Sequence, residues 1–186
     1  CIAFFAFAVG CAPAQKPLTD YVNPMLGTAT LWDSVDLGFK PTKRTWGAEV
    51  FPGSSLPNAM VQVSPVTKFH SGAGYQYEDS VIYGFTHTNK GHWNLCHIPL
   101  LPVTGTPLPG DYCSPYSHAR ESAAPGYYRV FLDRYGVDAE LTSTLRCAFH
   151  KYTYPAGAQA ALLADLQRSN EHVRAWDIRK EDDNAF

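Results

Sequence analysis

Histidine, cysteine and paired carboxylates are the side chains of this sequence whose types could do chemistry. His87, His92 and His97 recur at five-residue intervals beside Cys96, a donor set that would suit a transition metal. Five residues match neither one face of a helix nor one face of a strand, and no second cluster accompanies them. Polar loop and core histidines are the simpler reading. Glu78-Asp79 and Asp33 with Asp36 are the best carboxylate pairs for general acid–base work. Asp33 and Asp36 fall in a glycine-flanked loop, where solvated turn residues are usual, and are not assigned that role. Tyr127 and Tyr128 follow Pro125-Gly126 and read as packing at the start of a strand.

The elements that must position such residues are strands. In a half-buried strand, alternate side chains face opposite sides. Tyr128, Val130 and Leu132 alternate with Arg129, Phe131 and Asp133; Val137, Ala139 and Leu141 alternate with Asp138, Glu140 and Thr142. Thr144 to Thr153 continues the pattern, with Leu145, Cys147 and Phe149 read as the apolar face and Arg146 and His150 as the wet one. Ser117 to Pro155 is therefore expected to hold three consecutive strands. Ala160 to Leu166 reads as a strand buried on both faces. Further strands are expected at Met60–Val63, Gly74–Tyr77, Ile82–His87 and Ile98–Val103. No long apolar run of 3.6-residue period occurs. The expectation is an all-β fold, a two-sheet antiparallel β-sandwich. Gly27–Gly47, Lys68–Gly74 and Lys90–His97 are the stretches outside it, and loops on a packed sheet scaffold are where binding groups concentrate.

Composition narrows the function. Of 186 residues, 45% are hydrophobic, enough for a core, while 15 basic against 17 acidic side chains leave no electrostatic footprint for nucleic acid. A neutral partner suits that balance. The chain has 11 Tyr, 10 Phe and 4 Trp; such rings fill β cores and also stack on sugars. Cys1–Gly10 is an apolar run of signal-peptide length without an initiator Met or basic flank, so the start looks truncated. Ala8-Val9-Gly10-Cys11 resembles a bacterial lipoprotein cleavage box, with Cys11 as the lipidated residue. Residues 1–18 are thus expected to be leader and linker, and 19–186 the sandwich. Cys96, Cys113 and Cys147 remain, an odd set without metal-site spacing; a Cys96–Cys113 bridge stays open in an oxidising compartment.

Several segments, in order, resemble the N-terminal domain of glycoside hydrolase family 92, the exo-acting α-mannosidases. They are Asp20–Thr28 (DYVNPMLGT), Phe51–Pro65 (FPGSSLPNAMVQVSP), Gly74–Tyr77 with Asp79, Gly84–Thr88 (GFTHT), and Ser117–Pro155. The resemblance implies a supersandwich-like N-terminal β-sandwich followed by a larger (α/α)6 barrel. It also implies calcium-dependent, inverting release of mannose from α-linked mannans or high-mannose N-glycans. Inversion needs an acid and a base about 6.5–9.5 Å apart, leaving room for water; in this family both, and most calcium ligands, lie in the barrel. No catalytic residue is then expected in this chain, which alone should be inactive. Its partners would be α-mannoside glycans and that barrel, and its location the periplasm or cell surface, with membrane anchoring through Cys11. On the same resemblance Gly27, Thr28, Phe51, Gly53, His87 and Trp93 are the candidate substrate-binding residues. Thr88–Trp93 departs from the family's usual SHTHLSG wording, Asn89 standing where a second histidine is usual, which puts linkage preference in doubt. A tight turn at Gly27 and Gly53, and an aromatic plug at Trp93, are the structural alternatives. A free-standing carbohydrate-binding sandwich is the alternative reading of the whole chain; it predicts a closed polar surface, whereas an enzyme part predicts a bare apolar one.

Overall fold

The computed structural model describes residues 15–30, 49–89, 94–107 and 110–182. After a short 3-10 turn at Leu18–Tyr21 the chain forms eleven strands among these residues. They are β1 (Ser54–Ser55), β2 (Gln62–Val66), β3 (Val81–Ile82), β4 (Gly84–Thr86), β5 (Leu100–Thr104) and β6 (Ser114–Pro115). After a second 3-10 turn, His118–Arg120, come β7 (Glu121–Ala124), β8 (Tyr127–Leu132), β9 (Val137–Ser143), β10 (Ala148–Thr153) and β11 (Ala160–Ala164). One sheet has the order β1-β2-β4-β5-β11 and the second β10-β9-β8-β7, while β3 and β6 form a small ribbon. Every strand-to-strand pairing is antiparallel. The all-β sandwich expected from the alternation is the observed architecture.

Its core sits between the sheets. Val63, Phe85, Leu101 and Val103 from the first sheet meet Tyr128, Val130, Leu132, Val137, Ala139 and Leu141 from the second. Burying each such side chain stabilises the fold by about 1.5–3 kcal/mol. Pro65 and Pro102 lie within β2 and β5, where they have no N–H to donate to the ladder.

Five expectations change, and one open alternative closes. The Ser117–Pro155 stretch holds four strands, since β7 pairs with β8 from Glu121↔Val130 to Ala124↔Tyr127. β10 begins at Ala148, because Thr144–Cys147 is a turn closed by Thr144 N donating to Cys147 O at 2.8 Å. The alternation is thereby reversed: Ala148, His150 and Tyr152 face inward, and Phe149 is 67% exposed. Gly74–Tyr77 is an irregular crossing segment, though Tyr75 is fully buried. Ile82–His87 is broken at Tyr83 into β3 and β4. β11 is an edge strand with alternate residues exposed rather than a strand buried on both faces. Cys96, Cys113 and Cys147 are free thiols, so the Cys96–Cys113 bridge is not formed.

Candidate functional site

The segments 25–30 and 49–53 run side by side at one end of the sandwich. Gly27 takes φ +84°, a conformation that favours glycine, and its carbonyl accepts the Glu49 amide at 3.3 Å. Thr28 is fully buried; its hydroxyl donates to the Met25 carbonyl at 2.7 Å, and its own carbonyl accepts the Tyr77 amide at 2.9 Å. The Thr30 amide donates to the Glu78 carboxylate at 2.8 Å. Burial alone would raise the Glu78 pKa, but hydrogen bonds from the Thr30 amide, its own amide, the Gln76 side chain and the Thr30 hydroxyl together outweigh it and hold the carboxyl below its ordinary value. Phe51 is half-buried against the core. Gly53 passes so close to β2 that a Cβ there would lie 2.0 Å from the Val63 carbonyl oxygen. Gly27 thus meets the second segment at Glu49 and Val50, while Thr28 and Gly53 hold the backbone of the two loops in place.

A second cluster of loops meets through buried amides. Asn89 Nδ2 donates to the Gln62 and Thr86 carbonyls at 2.8 and 2.7 Å, while Asn94 Nδ2 reaches the Ala73 carbonyl at 2.6 Å and also Asn89 Oδ1. Asn170 continues the chain of contacts, donating to the Asn94 carbonyl at 2.6 Å and accepting the His70 amide at 2.6 Å. His70 is held at φ +58°, an uncommon conformation for a residue with a Cβ, which a surrounding network must sustain. Asn89, which departs from the family wording, is thereby a structural knot. Buried Cys96 has its thiol pushed up to about 12 by burial, so it is neither nucleophile nor ready ligand. Beside these loops lies a cavity of about 480 Å³, lined by Lys68, Phe69, His70, Tyr83, Gln167 and Arg168 among others. Residues 167–169 were not singled out in the sequence, because only tertiary contacts bring them to the loop at 68–74.

His87 does not join either loop cluster. Its Nε2 lies 2.8 Å from His150 Nε2, and His150 Nδ1 lies 2.6 Å from the Tyr152 hydroxyl. His150, read from sequence as solvated, faces inward because β10 is shifted in phase. One Nε2–H donates to the other ring, so the contact holds only while at least one ring is neutral. Burial lowers the pKa of His87, and burial with the neighbouring His87 charge brings His150 down to about 4. The folded value of His150 lies below the unfolded one, so the unfolded chain binds more protons in the window between. The contribution of His150 to stability is therefore expected in full above about pH 6.5 and to be lost, by about 2–3 kcal/mol, as pH drops to about 4. Urea unfolding at pH 7 and pH 4.5 should show this loss, and His150→Gln should remove most of the difference. An unchanged pH dependence in that variant would contradict the assignment.

A third arrangement escaped the sequence reading. The Glu121 carboxylate, 2% exposed, accepts the hydroxyls of Tyr75 and Tyr128 at 3.0 and 2.5 Å and lies 2.5 Å from His118 Nδ1. His118 Nε2 faces the Tyr77 carbonyl at 2.7 Å, and the two rings stack at 3.9 Å. Burial first, then the Glu121 charge, raises the Tyr75 and Tyr128 pKa values, keeping both hydroxyls as donors. The signal was the His118–Glu121 spacing of three. Trp93 and Cys11 lie outside the described residues.

Among the described residues, no three His, Cys, Asp or Glu side chains gather to hold a metal ion. Residues 21–186 match the family model described as the glycosyl hydrolase family 92 N-terminal domain. Among solved structures, the family GH92 α-mannosidase BT3965 from Bacteroides thetaiotaomicron, in complex with mannoimidazole, is similar with TM-score 0.68 and 33% identity. That match covers 83% of this chain and 20% of that one. The inverting mannosidase BT2199 from Bacteroides thetaiotaomicron VPI-5482 is similar with TM-score 0.65 and 26% identity, over 81% of this chain and 20% of that one. The GH92 family glycosyl hydrolase ccman5 is similar with TM-score 0.55 and 31% identity, over 66% and 19%. No match is found among curated proteins. The chain therefore spans about a fifth of the length of these solved relatives. With a family model matched from Tyr21 to the last residue and a sandwich shared with these enzymes, this chain belongs to glycosyl hydrolase family 92, in its N-terminal domain.

Proposed function

We propose that this domain is the accessory part of an exo-acting, inverting α-mannosidase that releases mannose from α-linked mannans or high-mannose N-glycans. The family match over residues 21–186 carries the reading. The domain holds the loops at 25–30, 49–53 and 68–74 against a catalytic domain supplied elsewhere, and presents them as one wall of the glycan pocket. Calcium dependence belongs to the same proposal and concerns residues outside those described, so no part of this domain's role runs through the metal. Export, with a lipid on Cys11, completes it.

The surface supports an enzyme part over a free-standing binding module. Met60 is 76% exposed and Phe149 is 67% exposed, and Met60 is tied by its amide to the carbonyl of exposed Leu145. A sandwich closed on itself would not need these three apolar side chains in water. Expression of the full-length protein and assay of mannose release from α-mannan, with and without a chelator, tests the proposal. Release that the chelator abolishes is expected; no release in either condition would sink it.

A further inference from the structure

Tyr21, Tyr77, Phe149 and Trp176 are the exposed aromatic side chains among the described residues. Of these four, only Tyr77 packs against another ring. It lies flat on His118, the centroids 3.9 Å and the planes 4° apart. His118 is itself held from three sides. Its Nδ1 lies 2.5 Å from the Glu121 carboxylate, its Nε2 lies 2.7 Å from the Tyr77 carbonyl, and the Tyr116 ring meets it edge-on at 5.3 Å. One face of Tyr77 is therefore covered and its ring fixed, yet the residue stays 40% exposed. Among the described residues its hydroxyl has no hydrogen-bond partner. Holding His118 requires the Tyr77 carbonyl, which any residue supplies, so the side chain is spare to that network. The Tyr77 amide donates to the Thr28 carbonyl at 2.9 Å, which sets the ring beside the turn at Gly27.

We infer that Tyr77 is the stacking platform for the sugar that follows the terminal mannose in a bound glycan, with His118 as its positioning residue. A sugar gains an apolar surface from an aromatic face, and a ring already fixed in one rotamer loses no freedom when it binds. Tyr21, Phe149 and Trp176 would each have to be immobilised first. The neighbouring carboxylates are engaged, Glu78 by the Thr30 amide at 2.8 Å and Glu121 by Tyr75 and Tyr128, so this place holds a sugar rather than cleaving one. The sugar class, and the terminal position left to the catalytic domain, rest on the mannosidase reading above.

Steady-state kinetics of the full-length protein on an α-linked mannotriose, with free mannose as product inhibitor, gives the test. Y77A is expected to raise KM about tenfold. Its kcat and the inhibition constant of mannose should stay within about twofold of wild type, because free mannose fills only the terminal position. Y77F should keep the wild-type KM, since the ring face and not the hydroxyl makes the contact. H118L removes the backing ring and should raise KM about threefold. An unchanged KM in Y77A, with circular dichroism also unchanged, overturns the inference and leaves the mannosidase reading intact. A fall in kcat alone overturns it too, for that marks a prop of the catalytic geometry. If the wild-type protein releases no mannose, the mannosidase reading fails and calorimetric titration with the mannotriose decides. Binding weakened about tenfold by Y77A upholds the platform; equal binding, or none by either protein, overturns it.

Discussion

Gly53→Ala is expected to destabilise the domain by about 3–5 kcal/mol, although alanine is one methyl group larger. The added Cβ would lie 2.0 Å from the Val63 carbonyl oxygen and 2.6 Å from Ser64 Cα. Both are backbone atoms of β2, so no side-chain rotation relieves the overlap. Relief requires β1 to separate from β2, breaking the pairs Ser54↔Val63 and Ser55↔Gln62. Separation also strains the 2.8 Å contact between the Ser54 and Ser143 hydroxyls, which joins the two sheets, and moves Phe51 off the core. Gly126→Ala is the control. Its φ of +78° disfavours a side chain, but nothing lies within 4 Å of the new Cβ. It should cost only about 1–2 kcal/mol, the penalty of the left-handed conformation. Urea unfolding of both variants decides: equal losses would show that steric approach at Gly53 is not what demands glycine there.

The fold was legible where one sheet face is wet and the other dry. Tyr128, Val130 and Leu132, and Val137, Ala139 and Leu141, alternate with polar neighbours and are the buried faces of β8 and β9. The same logic failed one strand later for a physical reason. Leu145, Cys147 and Phe149 alternate like an inward face, yet Thr144 caps a turn by accepting the Cys147 amide on its hydroxyl at 3.1 Å. That turn reverses the phase of β10. The inward set contains His150, whose polarity is tolerated because His87 and Tyr152 partner it. Ala160–Ala164 misled differently, since an apolar run records only that neither face is charged, and β11 pairs on one side only. The motifs brought the loops at 25–30 and 49–53 into view, but not the division of labour within them. Thr28 binds backbone on both sides, and Asn170 reaches Asn94 across 76 residues of chain. No local pattern encodes such a contact.

Glu121→Leu is expected to cost about 4 kcal/mol, despite a similar side-chain volume and a gain in apolar character. The loss arises from what Glu121 leaves behind. The Tyr75 and Tyr128 hydroxyls are buried donors that would face hydrocarbon, each at about 1–3 kcal/mol. His118 would lose the carboxylate at Nδ1 while Nε2 still faces the Tyr77 carbonyl. Glu121→Gln keeps an acceptor for the tyrosines and should cost about 1–2 kcal/mol. The comparison isolates hydrogen-bond satisfaction from packing; equal losses in urea unfolding would refute it. The consequence extends to the site. Tyr77, stacked on His118, donates its amide to the Thr28 carbonyl, so the Glu121 network is two contacts from the turn at Gly27. In Glu121→Leu, amide exchange at Tyr77 should quicken together with that of Thr28, whose own amide bonds to Met25. Protection retained at Thr28 would mean that the loop stands without this support.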